Sequence, residues 1–186
     1  MKVQAAKTQT GNGMSAATTH GPLANANQLA IVERLVEDAR ARGATIEVGG
    51  HRVGHASGFA YAPTLLTNVD ESFGIVSEEQ FGPALPILVY TDVAEAVRRA
   101  NDCNVGLGGS VWGNDTAAAS VVAATLQSGT VWVNQHKVMT PTAPFGGMKQ
   151  SGVGRENGQA GLSGFLEAQT FNVAKGKPWA TTGSKL

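Results

Sequence analysis

The residues with the most evident chemistry are two neighbouring carboxylates followed by an aromatic ring. Segment 78–83 reads Glu-Glu-Gln-Phe-Gly-Pro and precedes an apolar, strand-like stretch over 84–90. A carboxylate such as Glu79 can accept hydrogen bonds from the hydroxyls of a sugar, and a ring such as Phe81 can pack on a flat ligand. The alternative is that the acidic pair forms a solvated turn and Phe81 anchors a core, and on spacing alone this is the more common arrangement.

The glycine clusters of the chain do not predict a phosphate-binding loop. Dinucleotide enzymes hold phosphates at a glycine-rich turn between a strand and a helix. Segments 106–109 and 152–154 are rich in glycine, but neither completes the G-x-G-x-x-G spacing or links a clear strand to a helix. The cofactor phosphates are therefore not expected to bind within these residues.

The single cysteine and the histidines predict neither a nucleophile nor a metal site. Cys103 has no second cysteine with which to pair, and it follows Asp102 at the predicted end of a helix. Thiols are activated near cations and helix N-termini instead, so we assign Cys103 no catalytic role. His51 and His55 are four residues apart, but they lie in glycine-flanked loop sequence, where that spacing does not place two rings on one helical face.

The charge balance excludes several classes of partner. Lys and Arg total 14, as do Asp and Glu, and no basic cluster stands out. We therefore expect neither nucleic acid nor an anionic membrane as a partner. No apolar run approaches the roughly 20 residues of a membrane span, and the start of the chain lacks the apolar region of a signal peptide. These features predict a cytoplasmic protein.

Helix and strand patterns alternate along the chain and must position these side chains. Asn25 and Gln28 have capping-box spacing, and apolar residues then recur at helical spacing as far as Gly43. Two further helices begin after Asp92 and Asp115, and a short one is predicted over 158–167. Strands are predicted over 44–48, 59–67, 84–90, 107–112 and 130–133. The alternation indicates an α/β fold, with a mostly parallel sheet and helices on its faces.

Some apolar side chains of these elements are predicted to form the core. Trp112 and Trp132 lie in strand-like segments and are expected to be buried. On the helix after Asp115, the inward residues are predicted to be Val121, Val122 and Leu126, with Gly129 ending the helix.

Four motifs in a fixed order resemble those of a known family. They are Glu-Glu-Gln-Phe-Gly-Pro at 78–83, Gly-Thr-Val-Trp-Val-Asn at 129–134, the segment from Pro144 to Gly152, and Gly-Arg-Glu at 154–156. Together they closely resemble the C-terminal part of the catalytic domain in NAD(P)-dependent aldehyde dehydrogenases, from about Gly21 to about Ala174. The resemblance implies an oxidoreductase that converts an aldehyde to a carboxylic acid with NAD or NADP as acceptor.

The resemblance also implies roles for individual residues. Glu79 matches the glutamate that hydrogen-bonds the nicotinamide ribose, and Phe81 matches the aromatic beside the nicotinamide ring. Phe145 matches an aromatic of the aldehyde tunnel, a role compatible with core packing. Segment 135–139 matches the variable tunnel mouth, which makes Lys137 and Met139 candidate substrate-binding residues. Lys137 would favour an anionic aldehyde if it pointed inward, whereas a loop lysine is more often solvated.

The same resemblance implies a catalytically incomplete segment. The nucleophilic cysteine, the general-base glutamate and the Rossmann-like domain belong to family sequence upstream of the matched motifs. We expect a polar lead-in over 1–20, a partial catalytic domain over 21–168, an oligomerisation-type strand over 169–174 and a flexible tail over 175–186. The expected partners are a small aldehyde and either further copies of the chain or a complementing N-terminal half.

Two other functions remain open. The chain could be a non-enzymatic remnant that docks on full-length relatives through its edge strand, with Phe171 and Val173 in the contact. It could also be a separate nucleotide-binding module that uses Glu79 and Phe81, although the missing phosphate loop disfavours that interpretation.

Overall fold

A computed structural model of the chain describes residues 1–54 and 58–176. The chain divides into two compact units, Met1–Ala96 and Val97–Leu186. His55 and most of the predicted tail, 177–186, lie outside the described residues.

The first unit is organised around a long amphipathic helix. A short helix, α1 (Lys2–Lys7), precedes it within the expected lead-in, and α2 spans Ala26–Ala41. The Asn25 side chain accepts a hydrogen bond from the backbone N–H of Gln28 at 2.9 Å, which confirms the predicted N-cap. The buried face of α2 consists of Leu29, Val32, Leu35, Val36 and Ala39. This stripe at helical spacing forms one side of the unit's hydrophobic core.

A three-stranded mixed sheet provides the rest of this core. Its strands are β1 (Thr45–Val48), β2 (Thr64–Thr67) and β3 (Ala84–Pro86), in that spatial order. Strands β1 and β2 pair antiparallel, whereas β2 and β3 pair parallel. A one-turn helix, α3 (Gly74–Ser77), buries Ile75 against the same core. Strand β3 thus begins directly after the Glu-Glu-Gln-Phe-Gly-Pro segment.

A buried hydroxyl joins the end of β1 to the start of β2. Thr64 accepts a hydrogen bond from the Gly50 N–H at 2.8 Å and donates one to the Ala62 carbonyl at 2.7 Å. Gly49 lies beside this junction with φ at 78°, and a Cβ at this position would come within 2.3 Å of the Pro63 carbonyl oxygen. Only glycine fits this close approach without moving the backbone.

The second unit contains two small two-stranded sheets. Strands β4 (Val105–Gly106) and β7 (Met148–Lys149) pair antiparallel. Strands β5 (Gly108–Val111) and β6 (Thr130–Val133) pair parallel, and α5 (Thr116–Ala123) lies between them in the chain and packs on both. The boundary between the two units falls within α4 (Val93–Asn101), and α6 (Gly158–Ser163) lies near the end of the described chain.

The expected α/β class is confirmed, and two of the predicted caps are confirmed with it. The Asp92 carboxylate accepts a hydrogen bond from the Glu95 N–H at 2.9 Å, and Asp115 accepts from Ala117 and Ala118 at 2.9 and 3.0 Å. The strands are distributed over three small sheets, with two parallel and two antiparallel pairings among the described residues. The predicted alternation of strand, helix and strand is therefore seen in β5, α5 and β6, where the two strands pair parallel.

Two predicted core residues are exposed. Trp112 is 65% exposed because it follows the last residue of β5, where the strand pair has ended. Val121 is 71% exposed because α5 buries Ala119 and Ala123, four residues apart, and Val121 lies on the opposite face. The predicted burial of Trp132 is confirmed, since its residue is 7% exposed.

Several element ends also differ from the sequence prediction. Helix α5 ends at Ala123 instead of near Gly129, and the strand predicted over 84–90 ends at Pro86. Segment 169–174 adopts no strand within the described chain, so its assignment as an oligomerisation strand stays a prediction. Among residues 1–54 and 58–176, no helix combines the length and the apolar character needed to cross a membrane.

Candidate functional site

The two adjacent carboxylates of the first unit have different surroundings. Glu78 accepts a hydrogen bond from the Arg34 guanidinium at 2.7 Å, and both side chains are about half exposed. This hydrogen bond, together with the positive charge of Arg34, lowers the pKa of Glu78 below its ordinary value. The Glu78 carboxylate is therefore engaged with helix α2.

Glu79 is exposed and makes no hydrogen bond or ion pair with any residue that the structure describes. Phe81, two residues further on, is 73% exposed and has a left-handed backbone with φ at 43°. An exposed ring of this kind is not a core anchor, so the interpretation of Phe81 as a core residue is wrong. The segment presents one unpaired carboxylate and one accessible aromatic face.

Helix α2 holds this segment in place through contacts that the sequence analysis missed. The Gln28 side chain donates to the Gln80 carbonyl, and the Gln80 side chain donates to the Ala84 carbonyl at the start of β3. Gly82 lies so close to α2 that a Cβ at this position would come within 2.3 Å of a Val32 methyl group. Because the Gln28 side chain bonds to Gln80, it does not complete a reciprocal capping box with Asn25. Its side chain links the helix to the segment that carries Glu79 and Phe81.

The second unit contains a cavity of about 230 Å³ that includes two of the predicted substrate residues. Met139 and Phe145 both line it, as does Gln135 from the same predicted tunnel-mouth segment. Lys137 is not among the lining residues and has a left-handed backbone with φ at 57°. The structure thus brings Met139 and Phe145 together and leaves Lys137 outside the cavity.

Trp132 holds the loop over 134–139, which lines part of this cavity. Its indole N–H donates a hydrogen bond to the Val138 carbonyl at 2.8 Å. Its ring meets the His136 ring edge-on, with centroids 5.2 Å apart and planes at 71°. His136 also lies within 3.3 Å of the Ser110 hydroxyl on β5. The loop is consequently tied to the parallel strand pair at two residues, His136 and Val138.

Asn134 fixes the start of the same loop. Its side-chain amide accepts from the Gly113 N–H at 2.8 Å and donates to the Gly113 carbonyl at 2.9 Å. Asn134 has φ at 52°, a left-handed conformation that asparagine tolerates better than most residues. The chain can therefore turn sharply at the end of β6 before it reaches Gln135.

Phe145 lies on a loop that is closed by backbone hydrogen bonds and an arginine. Phe145 and Glu156 exchange N–H to carbonyl bonds of 2.8 and 2.7 Å. The Arg155 guanidinium donates to the Gly147 carbonyl at 2.9 Å and so links the two sides of the loop. Gly129 packs directly on this loop, because a Cβ at that position would lie 1.6 Å from the Gly146 carbonyl oxygen.

Cys103 lies outside both of these sites. It is exposed, two residues beyond the end of α4. Its backbone carbonyl, with that of Asn101, accepts a hydrogen bond from the Lys149 ammonium, at 2.8 and 2.6 Å respectively. Lys149 therefore closes the C-terminal end of α4, a position that sequence spacing did not reveal.

No group of metal-binding side chains exists among the residues that the structure describes. His51 has its Nδ1 atom 3.1 Å from the Gly49 carbonyl, which is a local loop contact. The second histidine of the pair, His55, lies outside the described residues.

Parallel strand pairs flanked by helices define an α/β protein, and an exposed carboxylate and ring lie on the segment before β3. The model of the aldehyde dehydrogenase family matches residues 1–171 of this chain. The chain therefore belongs to the aldehyde dehydrogenase family, an oxidoreductase family. This match includes residues 1–20, which the motifs alone did not cover.

Relatives of known name agree with this family. The chain is 41% identical over 169 residues to betaine aldehyde dehydrogenase of Bacillus subtilis (strain 168), a match that covers 89% of this chain and 34% of that protein. It is 42% identical over 160 residues to mitochondrial succinate-semialdehyde dehydrogenase of Rattus norvegicus, with coverage of 86% and 30%. The chain thus spans about a third of the length of these relatives.

Solved structures give the same result for the fold. Betaine aldehyde dehydrogenase of Staphylococcus aureus, in complex with NAD+, superposes with a TM-score of 0.82 at 40% identity, covering 89% of this chain and 33% of that one. A mutant aldehyde dehydrogenase of Bacillus cereus superposes with a TM-score of 0.83 at 37% identity, with coverage of 89% and 33%.

Proposed function

We propose that this chain forms part of an NAD(P)-dependent aldehyde dehydrogenase and supplies one wall of the cofactor site and one wall of the aldehyde site. The reaction is the oxidation of an aldehyde to a carboxylic acid. The observation that carries this proposal is the division between two adjacent carboxylates, because Glu78 is held by Arg34 while Glu79 remains unpaired among the described residues.

The described residues suit the nicotinamide nucleoside half of the cofactor. NAD or NADP, when bound, accepts a hydride from the substrate. The unpaired Glu79 carboxylate is an acceptor with room for the two hydroxyls of a ribose, and charge-assisted bonds of this kind are strong. The exposed Phe81 ring offers a flat apolar surface beside it. These two side chains would bind and orient the cofactor, and they move no proton themselves.

The second unit supports the aldehyde-binding part of the proposal. Phe145 and Met139 line one cavity. The hydrogen bonds of Trp132 and Asn134 hold the loop that leads to Met139. We propose that this cavity is a segment of the substrate tunnel and that Lys137, which lies outside it, remains solvated. The side chains of the wall would exclude water and align the aldehyde.

We further propose that these 186 residues alone do not oxidise aldehydes. Cys103 is exposed beyond the C-terminal end of α4 and does not line the cavity of the second unit. By resemblance, the nucleophile and the general base belong to family sequence upstream of the matched motifs. The chain would then contribute binding surfaces that a complementing segment must complete.

A chimeric enzyme tests the cofactor role directly. In it, this chain replaces the matching third of the Bacillus subtilis relative, and NADH formation is followed by absorbance. We expect turnover from the chimera and none from the chain alone, whether Cys103 is present or replaced by alanine. Replacing Glu79 by glutamine should raise the KM for the cofactor by about 10- to 100-fold, since a charged hydrogen bond contributes about 1.5–3 kcal/mol.

Glu78→Gln is the matched control for this experiment. It removes the same charge one residue earlier, but Glu78 is already held by Arg34, so the cofactor KM should be unchanged. Equal effects of the two substitutions would refute the assignment of Glu79. Turnover by the isolated chain that disappears on Cys103→Ala would refute the proposed incompleteness.

A second candidate function is assembly with relatives through segment 169–174. Phe171 is 86% exposed and Val173 is 71% exposed, and this segment has no strand partner in the described chain. A segment with exposed apolar side chains can add a strand to another subunit's sheet. Size-exclusion chromatography with a full-length relative should give a mixed oligomer. Assembly that persists after replacement of Phe171 and Val173 by aspartate would refute this function.

A further inference from the structure

The cavity of the second unit has no ionisable side chain among its described lining residues. Its polar members are the neutral residues Thr130, Gln135, Thr140 and Asn157, and the others are apolar or aromatic. We infer that this site selects uncharged aldehydes and discriminates against anionic and cationic ones. The inference rests on the proposed function for its assignment to aldehydes, but the charge preference of the cavity is a separate property.

The physical reason is the cost of removing a charge from water. A charged group that enters a protein cavity loses its hydration, and that loss is offset only if an opposite charge or several hydrogen bonds replace the water. Lys137 and Glu156 are the charged residues adjacent in sequence to lining residues, and neither lines the cavity. A carboxylate or an ammonium on the substrate would therefore find no counter-charge in this wall.

The loop residues on both sides of Lys137 make contacts that fix the course of the backbone. Its neighbours on both sides are tied to the strand pair, His136 through Trp132 and Ser110, and Val138 through the indole N–H at 2.8 Å. The uncharged lining is thus a property of the folded loop.

The size of the cavity further limits the class of aldehyde that it would bind. Its volume of about 230 Å³ exceeds that of an engineered apolar cavity of about 150 Å³ that binds benzene. A neutral aldehyde with a phenyl ring or a medium aliphatic chain would fill this space. Its apolar part would contact Met139 and Phe145, and Gln135 could donate a hydrogen bond to a neutral polar group.

The test measures binding to the full 186-residue chain by NMR, without cofactor or turnover. Three unreactive probes of equal length carry different charges, namely 3-phenylpropionamide, 3-phenylpropionate and 3-phenylpropylammonium. The amide should shift the side-chain signals of Gln135 and Met139 in a saturable manner. Both charged probes should bind at least about tenfold more weakly, because the cavity offers no counter-charge. Binding of either charged probe within about threefold of the amide would overturn the inference.

A charge introduced into the wall provides the second arm. Met139 is 54% exposed, so Met139→Lys should leave the fold intact. It should improve binding of 3-phenylpropionate at least about fivefold relative to the amide, since the new ammonium pairs with the carboxylate. The matched control is Val153→Lys, which adds the same charge at a fully exposed position outside the lining and should change nothing. Equal responses of the two variants would refute the charge-selective cavity.

These outcomes are independent of the chimera experiment. An inactive chimera with a clear preference for the amide would refute the aldehyde dehydrogenase activity and keep the neutral cavity. An active chimera whose chain binds all three probes equally would support the aldehyde dehydrogenase activity and refute the neutral cavity.

Discussion

The contacts of Trp132 lead to a quantitative prediction about the loop over 134–139. The Trp132→Phe substitution keeps an aromatic ring but removes the indole N–H that holds the Val138 carbonyl at 2.8 Å. The ring becomes smaller at a site that is only 7% exposed. The loop should therefore loosen and the second unit should lose stability together.

The expected magnitude follows from two losses. The hydrogen bond contributes about 0.5–1.5 kcal/mol, and Val138 is 54% exposed, so water can replace the lost donor and the full cost of a buried orphan carbonyl does not apply. The reduced ring leaves a small void that adds about 1–2 kcal/mol, less than the cost of full truncation to alanine. The free energy of unfolding should fall by about 1.5–3.5 kcal/mol in total.

Urea unfolding of the two single variants Trp132→Phe and Trp112→Phe measures this difference. Trp112 is 65% exposed, so the same chemical change there should cost less than about 0.5 kcal/mol. Hydrogen exchange should also accelerate at the amides of 134–139 in Trp132→Phe and remain unchanged in Trp112→Phe. Equal midpoint shifts, or unchanged exchange in the loop, would refute the role of Trp132 as the anchor of the wall.

Three further predictions concern single residues. The Thr130 hydroxyl is buried without a hydrogen-bond partner among the described residues, so Thr130→Val should raise the free energy of unfolding by about 1 kcal/mol in urea titrations; a loss of stability would reveal a partner. Gly129→Ala should destabilise by about 3 kcal/mol or more in the same assay, since its Cβ would lie 1.6 Å from the Gly146 carbonyl oxygen, and a neutral effect would contradict that packing. Burial raises the pKa of Tyr61 to about 12 from an ordinary 10.0, so its contribution to stability is complete below pH 10.0 and is lost as the pH rises through about 12. Ultraviolet titration should detect this late ionisation, and Tyr61→Phe should remove that part of the alkaline loss.

Sequence reasoning succeeded where local interactions determine the structure. Asn25, Asp92 and Asp115 cap their helices as predicted, because a cap depends on residues two or three positions away. The apolar stripe of α2 was likewise evident from its spacing. These features require no knowledge of what lies across the core.

The predictions failed where the outcome depends on distant parts of the chain. Periodicity identified β5 but did not show that the strand pair ends before Trp112, so its exposure could not be foreseen. Gln28 satisfied the local capping pattern, yet its side chain bonds to Gln80, 52 residues away. A side chain with a good local partner and a good distant one can be assigned only when the distant group has been placed.

The acidic pair shows how such a distant contact determines which side chain stays accessible. Glu78 and Glu79 are identical in type and adjacent, so spacing alone does not state which of them is accessible, although the resemblance singles out Glu79. Helix α2 makes the distinction, because its exposed face carries Arg34 within hydrogen-bonding distance of Glu78, at 2.7 Å. Gln28 on the same helix donates a hydrogen bond to the Gln80 carbonyl, which fixes the position of the acidic pair relative to α2. The contrast between the engaged Glu78 and the exposed Glu79 is therefore a consequence of how α2 packs.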